Sequence, residues 1–140
     1  MKILAAAYVL TMNSQNECIK NGAILIEGDR IKAIGTKTEL TQKYPNVIVR
    51  DYPEALLMPG LINTHCHSGL LRGTAEGLPV WDWLEQFIDP MHRVLQPEDA
   101  KAAPYLCYAE ALLSGTTTIV DMWRYMDGSA EAAQQLCIRA

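Results

Sequence analysis

Met58-Pro59-Gly60-Leu61-Ile62-Asn63-Thr64-His65-Cys66-His67 is the stretch on which the fold turns. An apolar-to-polar run of strand length, Leu61 to His65, ends in two histidines spaced i and i+2. Side chains alternate faces along a strand, so both imidazoles project to one side while Cys66 projects to the other. Two imidazoles converging on one point suit zinc, iron, nickel or copper. Cys66 reads as a buried apolar thiol and not as a third ligand. Taken alone, the pair leaves an accidental neighbourhood open, since the chain has 3 histidines in 140 residues.

Toward the C-terminus, a glycine-containing loop from Ser68 to Pro79 follows the pair. Trp81 to Ile88 fits a helix, with Trp81, Leu84 and Ile88 on one face and Pro90 as its stop. The stripe assigns Trp81 and Phe87 to core packing, and Trp83 is the aromatic best suited to line a pocket for a flat ring. Pro97, Glu98 and Asp99 open another helix, with negative charge at the positive end of its dipole, and Gly115 closes it. Pro104 inside it predicts a kink or a late start. Thr116 to Val120 is a β-branched strand ending at Asp121, and Ser129 to Ile138 opens a third helix. Alternation of strand and helix implies a parallel sheet or barrel with helices outside.

Toward the N-terminus the pattern is short strands and turns. Ile3 to Thr11 is a strand; Ala23 to Glu27 and Arg30 to Ile34 flank the turn residues Gly28-Asp29. Thr38 to Tyr44 is a helical turn or two ended by Pro45, and Val47 to Val49 is a short strand. The apolar run after Met1-Lys2 is too short for a signal peptide and lacks a small-residue cleavage site. No stretch approaches the ~20 apolar residues of a membrane span. The 12 Lys+Arg against 16 Asp+Glu, a net charge of −4, argue against a nucleic-acid or anionic-membrane partner. Four widely spaced cysteines without a C-x-x-C pair exclude a zinc knot or compact disulfide framework and point to reduced thiols in a cytoplasmic protein.

The segment from Met58 to His67 resembles the first barrel strand of the metal-dependent amidohydrolase superfamily, in which P-G-x-[IV]-[ND]-x-H-x-H follows a small N-terminal β-sandwich. Leu70-Leu71-Arg72-Gly73, Leu78 to Leu84, Pro97-Glu98-Asp99 and Ser114-Gly115-Thr116-Thr117-Thr118 are similar to the branch holding S-adenosylhomocysteine/methylthioadenosine deaminases and triazine chlorohydrolases. The resemblance implies an α/β chain. Residues 1–57 are then part of the β-sandwich, and residues 58–140 begin a TIM (β/α)8 barrel left incomplete, because a whole barrel takes ~250 residues.

It further implies hydrolysis of a C–N or C–Cl bond at a ring carbon of an aminated heterocycle. One divalent metal, zinc first and iron second, lowers the pKa of its bound water and polarises the substrate. His65 and His67 become its first ligands; the remaining ligands and the catalytic proton-transfer residues are expected beyond residue 140. Trp83 and His92 are the substrate-binding candidates. His92 stands in Pro90-Met91-His92, where adenosine-type members carry Pro-x-Glu with a ribose-binding carboxylate; a neutral imidazole has one acceptor nitrogen and is no equal clamp. A helix-end histidine at the dipole is the competing role for His92. Arg72 reads as a loop arginine or an anion contact, and Asp121 as a partner of a metal-bound histidine or a strand-end cap. A homo-oligomer acting on a small heterocycle is the whole-protein expectation, with no turnover by the 140 residues alone. The alternatives are a non-catalytic interaction module presenting open sheet edges and a cyclic amidase of the same superfamily.

Overall fold

A computed structural model describes residues 1–70 and 77–140; Arg72, with the loop motif around it, lies outside the described residues. The chain is mixed α/β and divides into two compact units, Met1–Pro59 and Gly60–Ala140.

The first unit is one five-stranded sheet. Strand β1 (Lys2–Leu10) pairs antiparallel with β3 (Gly22–Glu27) and, further along the same edge, with the short β2 (Cys18–Lys20). β3 turns through Gly28, at φ 61°, into β4 (Arg30–Thr36), the hairpin expected from Gly28-Asp29. Helix α1 (Lys37–Lys43) starts on a capping box: Thr36 accepts from Glu39 N–H while the Glu39 carboxylate accepts from Thr36 N–H at 2.8 Å. The Thr36 N–H, and with it the Thr36 hydroxyl donating to the same Glu39 oxygen at 2.7 Å, hold the Glu39 carboxyl below its ordinary pKa. Leu40 then joins Ile3, Ala5, Ala23 and Leu25 in the core.

β5 (Val49–Leu57) pairs parallel with the other edge of β1, and is longer and later than the strand expected at Val47 to Val49. Arg50, Asp51, Pro53 and Glu54 hide it in the sequence. The strand stands at the sheet's edge, where charge is solvated and a proline costs no ladder bond, and its register slips between Tyr52 and Leu56, around that proline.

The second unit is built on a parallel pair, β6 (Leu61–Cys66) and β7 (Thr116–Asp121). The connection carries α2 (Val80–Trp83), a π-helical turn over Leu84–Ile88, α3 (Asp89–Val94), a 3-10 turn over Asp99–Lys101 and α4 (Ala102–Leu113). Two expectations fail here. Pro90 does not stop the helix, which runs on to Val94, because the widened π turn carries Asp89 N–H to the Leu84 carbonyl and relieves the proline ring. The same extra residue breaks the stripe, leaving Trp81 73% exposed and Phe87 at the surface while Ile88 is buried.

Pro104 falls in the first turn of α4, the late start. Helix α5 (Met126–Leu136) begins three residues earlier than expected. Tyr108, Ile119, Ala132, Ala133 and Ile138 form the second core. Beyond α5 the chain returns beside β7, where Arg139 makes a parallel bridge with Thr118. Among the described residues no helix is long and apolar enough to cross a membrane.

Candidate metal centre

The register of β6 on β7 begins with glycines. A Cβ at Gly60 would overlap the Thr117 side chain, and Gly115, at φ 86°, offers its carbonyl to Leu61 N–H at 2.9 Å. With that register set, the carboxyl ends of both strands come together. β6 ends at Cys66, so His67 is the first residue past it, yet the two imidazoles still share a side. Their Nε2 atoms lie 3.0 Å apart, with ring centroids at 4.8 Å and planes at 83°. His65 is exposed and His67 half-buried.

The His67 Nδ1 atom lies 2.7 Å from the Met122 carbonyl oxygen. A carbonyl only accepts, so Nδ1 carries the proton and Nε2 of the neutral ring is a lone pair. The contact between the two Nε2 atoms then needs one proton from His65, and that shared proton is what a cation would replace. Two nitrogens at 3.0 Å can both lie within ~2.1 Å of one zinc ion. The residues therefore fit the start of a metal site. Among the described residues no set of three His, Cys, Asp or Glu converges on a point. Cys66 turns away, its sulfur 3.6 Å from that of Cys107. Burial, then the Cys107 hydrogen bond, pushes its thiol up to about 12.

Beside His67 opens a cavity of about 310 Å³ whose walls include Trp83, His92, Met122, Trp123 and Arg124. The two substrate candidates, Trp83 and His92, thus line one space with His67. The Trp123 ring centroid lies 4.2 Å from that of His92 and 5.9 Å from that of His67. Gly69 makes room for it, since a Cβ there would overlap the indole. Burial, then the Arg124 charge, holds the His92 imidazole below its ordinary pKa, so it is neutral. Its Nε2 and the Trp123 Nε1 are buried without hydrogen-bond partners among the described residues. Asp121 touches neither histidine of the pair; its carboxylate binds Ser68 and Tyr108. The histidine partner is instead the main chain of the next residue, Met122. Met122, Trp123 and Arg124 carry no motif of their own, but all three follow the end of β7, which the sequence does mark.

A family model described as the amidohydrolase family matches residues 56–140, more than half of the chain. The chain belongs to the amidohydrolase family. A second model, a bacterial imidazolonepropionase-like composite domain, matches residues 22–46 of this amidohydrolase. A 5-methylthioadenosine/S-adenosylhomocysteine deaminase of Thermodesulfovibrio yellowstonii is 43% identical over 99% of this chain and 33% of its own length. The crystal structure of an adenosine deaminase from Xanthomonas campestris with bound zinc superposes with a TM-score of 0.90 at 30% identity, over 99% of this chain and 32% of that one. An atrazine chlorohydrolase from Arthrobacter aurescens complexed with zinc gives 0.84 at 25% identity, over 99% and 34%. The chain spans about a third of the length of the curated relatives it matches.

Proposed function

We propose that this amidohydrolase chain supplies the N-terminal third of a metal-dependent hydrolase that removes an amino group from a ring carbon of a heterocycle. Residues 1–57 then belong to the β-sandwich, while β6 and β7 are the first two strands of a (β/α)8 barrel. The parallel bridge of Arg139 on the free edge of β7 supports that order, since it is where a third parallel strand enters. The observation that carries the proposal is the imidazole pair, two Nε2 atoms at 3.0 Å with His67 held on the Met122 carbonyl. His65 and His67 hold one divalent ion, with zinc named first because similar solved structures contain it.

A bound ion there supplies activated water and polarises the carbon under attack. The chain's own part is to orient and enclose. Trp83 and His92, with Trp123, wall an apolar space next to His67 that fits a flat ring. Relatives named for 5-methylthioadenosine/S-adenosylhomocysteine and for 5'-deoxyadenosine point to an adenosine altered at its 5' position. His92, neutral and with one acceptor at most, does not grip two ribose hydroxyls as a carboxylate does. Recognition therefore leans on the ring against the apolar walls. The four free cysteines suit a reducing, cytoplasmic setting.

The test is ammonia release by the zinc-loaded whole protein carrying these residues, offered 5'-methylthioadenosine, adenosine, guanine, a pterin and a chlorotriazine. The 5'-methylthioadenosine is expected to turn over best, and His65→Ala to abolish it. Chloride release from the triazine with no ammonia from any purine overturns the deaminase reading.

A further inference from the structure

The carboxyl ends of β6 and β7 are laced together by hydrogen bonds that metal ligation leaves unexplained. Met122 N–H donates to the Cys66 carbonyl at 3.0 Å, and the Met122 carbonyl accepts from His67 Nδ1 at 2.7 Å. One residue earlier, the Asp121 carboxylate accepts Ser68 N–H on Oδ1 at 2.9 Å and the Ser68 hydroxyl on Oδ2. Each of residues 66, 67 and 68 is thus tied to residue 121 or 122. Tyr108 on α4 donates its hydroxyl to the same Oδ2 at 2.6 Å, and Ser129 on α5 lies 3.0 Å from the Ser68 oxygen. Ser68, Tyr108 and Ser129 are at most 1% exposed.

An ionised carboxylate only accepts, which fixes the direction of every bond. Ser68 gives its one hydroxyl proton to Asp121, so the Ser129 hydroxyl donates to Ser68, and Tyr108 donates to Asp121. Burial, then the Asp121 bond, raises the Tyr108 pKa and keeps the phenol a donor. Three donors meet one side chain. Asparagine in its place has a single acceptor oxygen and brings two N–H groups of its own, so at least one buried donor loses its partner.

We propose that Asp121 is a positioning residue for His67. It holds Ser68, and with it the turn after β6, where the His67 ring meets the Met122 carbonyl, keeping the proton on Nδ1 and the Nε2 lone pair toward His65. The proposal rests on the reading of His65 and His67 as metal ligands for its purpose; the ring lock itself is read without metal.

The experiment is imidazole nitrogen–proton NMR on the full chain, with and without zinc, for the native protein, Asp121→Asn, Ser68→Ala and Tyr108→Phe. The native spectrum is expected to show His67 as the Nδ1–H tautomer. Asp121→Asn mixes the tautomers and weakens zinc uptake by about 10–100-fold. Tyr108→Phe, which leaves both Ser68 bonds in place, lowers the unfolding midpoint and keeps the tautomer, separating positioning from stability. Should Asp121→Asn not fold, Ser68→Ala removes the hydroxyl half of that link and leaves the carboxylate and its bond from the residue 68 N–H in place, with a smaller tautomer shift expected. Unchanged His67 tautomer and zinc uptake in a folded Asp121→Asn, or, where that variant does not fold, in a doubly substituted Ser68→Ala/Asp121→Ser that removes both bonds, overturns the proposal. Shifted tautomers in the variants, with no zinc response of His65 or His67 in the native chain, support the positioning and refute the metal reading.

Discussion

In Met1–Pro59 the buried side chains are apolar, Ile3, Ala5, Ala23, Leu25 and Leu40 among them, whereas in Gly60–Ala140 Tyr108, Ser68 and Ser129 are buried with Ile119, Ala132 and Ile138. The first unit joins a tight hairpin and a capped helix to a sheet around β1, whose two edges are paired by backbone alone. The second draws its polar interior from residues 68, 108, 121 and 129, which meet only when a parallel pair and two helices are in place. Apolar burial gives stability that is not directional, while a satisfied buried polar set fixes positions. The imidazole pair stands on the unit whose interior fixes positions.

Leu25→Ala carries the largest expected effect, confined to the apolar interior. Leu25 is fully buried, and its truncation is expected to cost about 2–5 kcal/mol in a urea melt. The His67 tautomer should stay unchanged at temperatures where the variant is folded. Altered histidine resonances would mean that the two interiors are not separate determinants.

Gly69→Ala sharpens the other side. The new methyl overlaps the Trp123 indole, so the indole must move, at about 1–3 kcal/mol. Tryptophan fluorescence should shift with it, and an unaltered emission spectrum would deny the tight seat. Thr36→Ala removes one half of the capping box. A loss of about 1 kcal/mol is expected, confined to stability, with the histidine spectra untouched.

The smallest effect is a pH dependence in the first unit. The Glu39 carboxyl is held below its ordinary value in the folded chain by the Thr36 bonds. Its contribution is therefore present above the ordinary carboxylate range and is lost as pH falls through the lowered folded value. Comparing acid melts of the native chain and Glu39→Gln should show a shallower acid slope in the variant; identical slopes would remove Glu39 from the cap.

Much of this was legible in the residues. Gly28-Asp29 between two alternating runs marked the β3–β4 hairpin, and the β-branched Thr116 to Val120 marked β7 to within one residue. His65 and His67 announced a shared side through their spacing, although His67 stands past the strand's end. What stayed hidden has physical reasons. β5 is an edge strand whose charges face water. The π turn at Leu84–Ile88 adds a residue that no 3.6-residue period anticipates, so Trp81 swings out to solvent. Met122 acts through main-chain atoms, which carry no side-chain signature, and Trp123 matters because Gly69, 54 positions earlier in the chain, leaves space for it.

The central claim, that His65 and His67 share one cation, is tested most directly by titrating the chain with zinc while following the imidazole nitrogens. A single site of weak affinity is expected, because two ligands converge among the described residues where a catalytic zinc takes three, with Nε2 of both His65 and His67 shifting together, and with the response lost in His65→Ala and in His67→Ala but kept in His92→Ala. Zinc uptake that persists in both single substitutions, or that shifts His92 while His65 and His67 stay still, would contradict it.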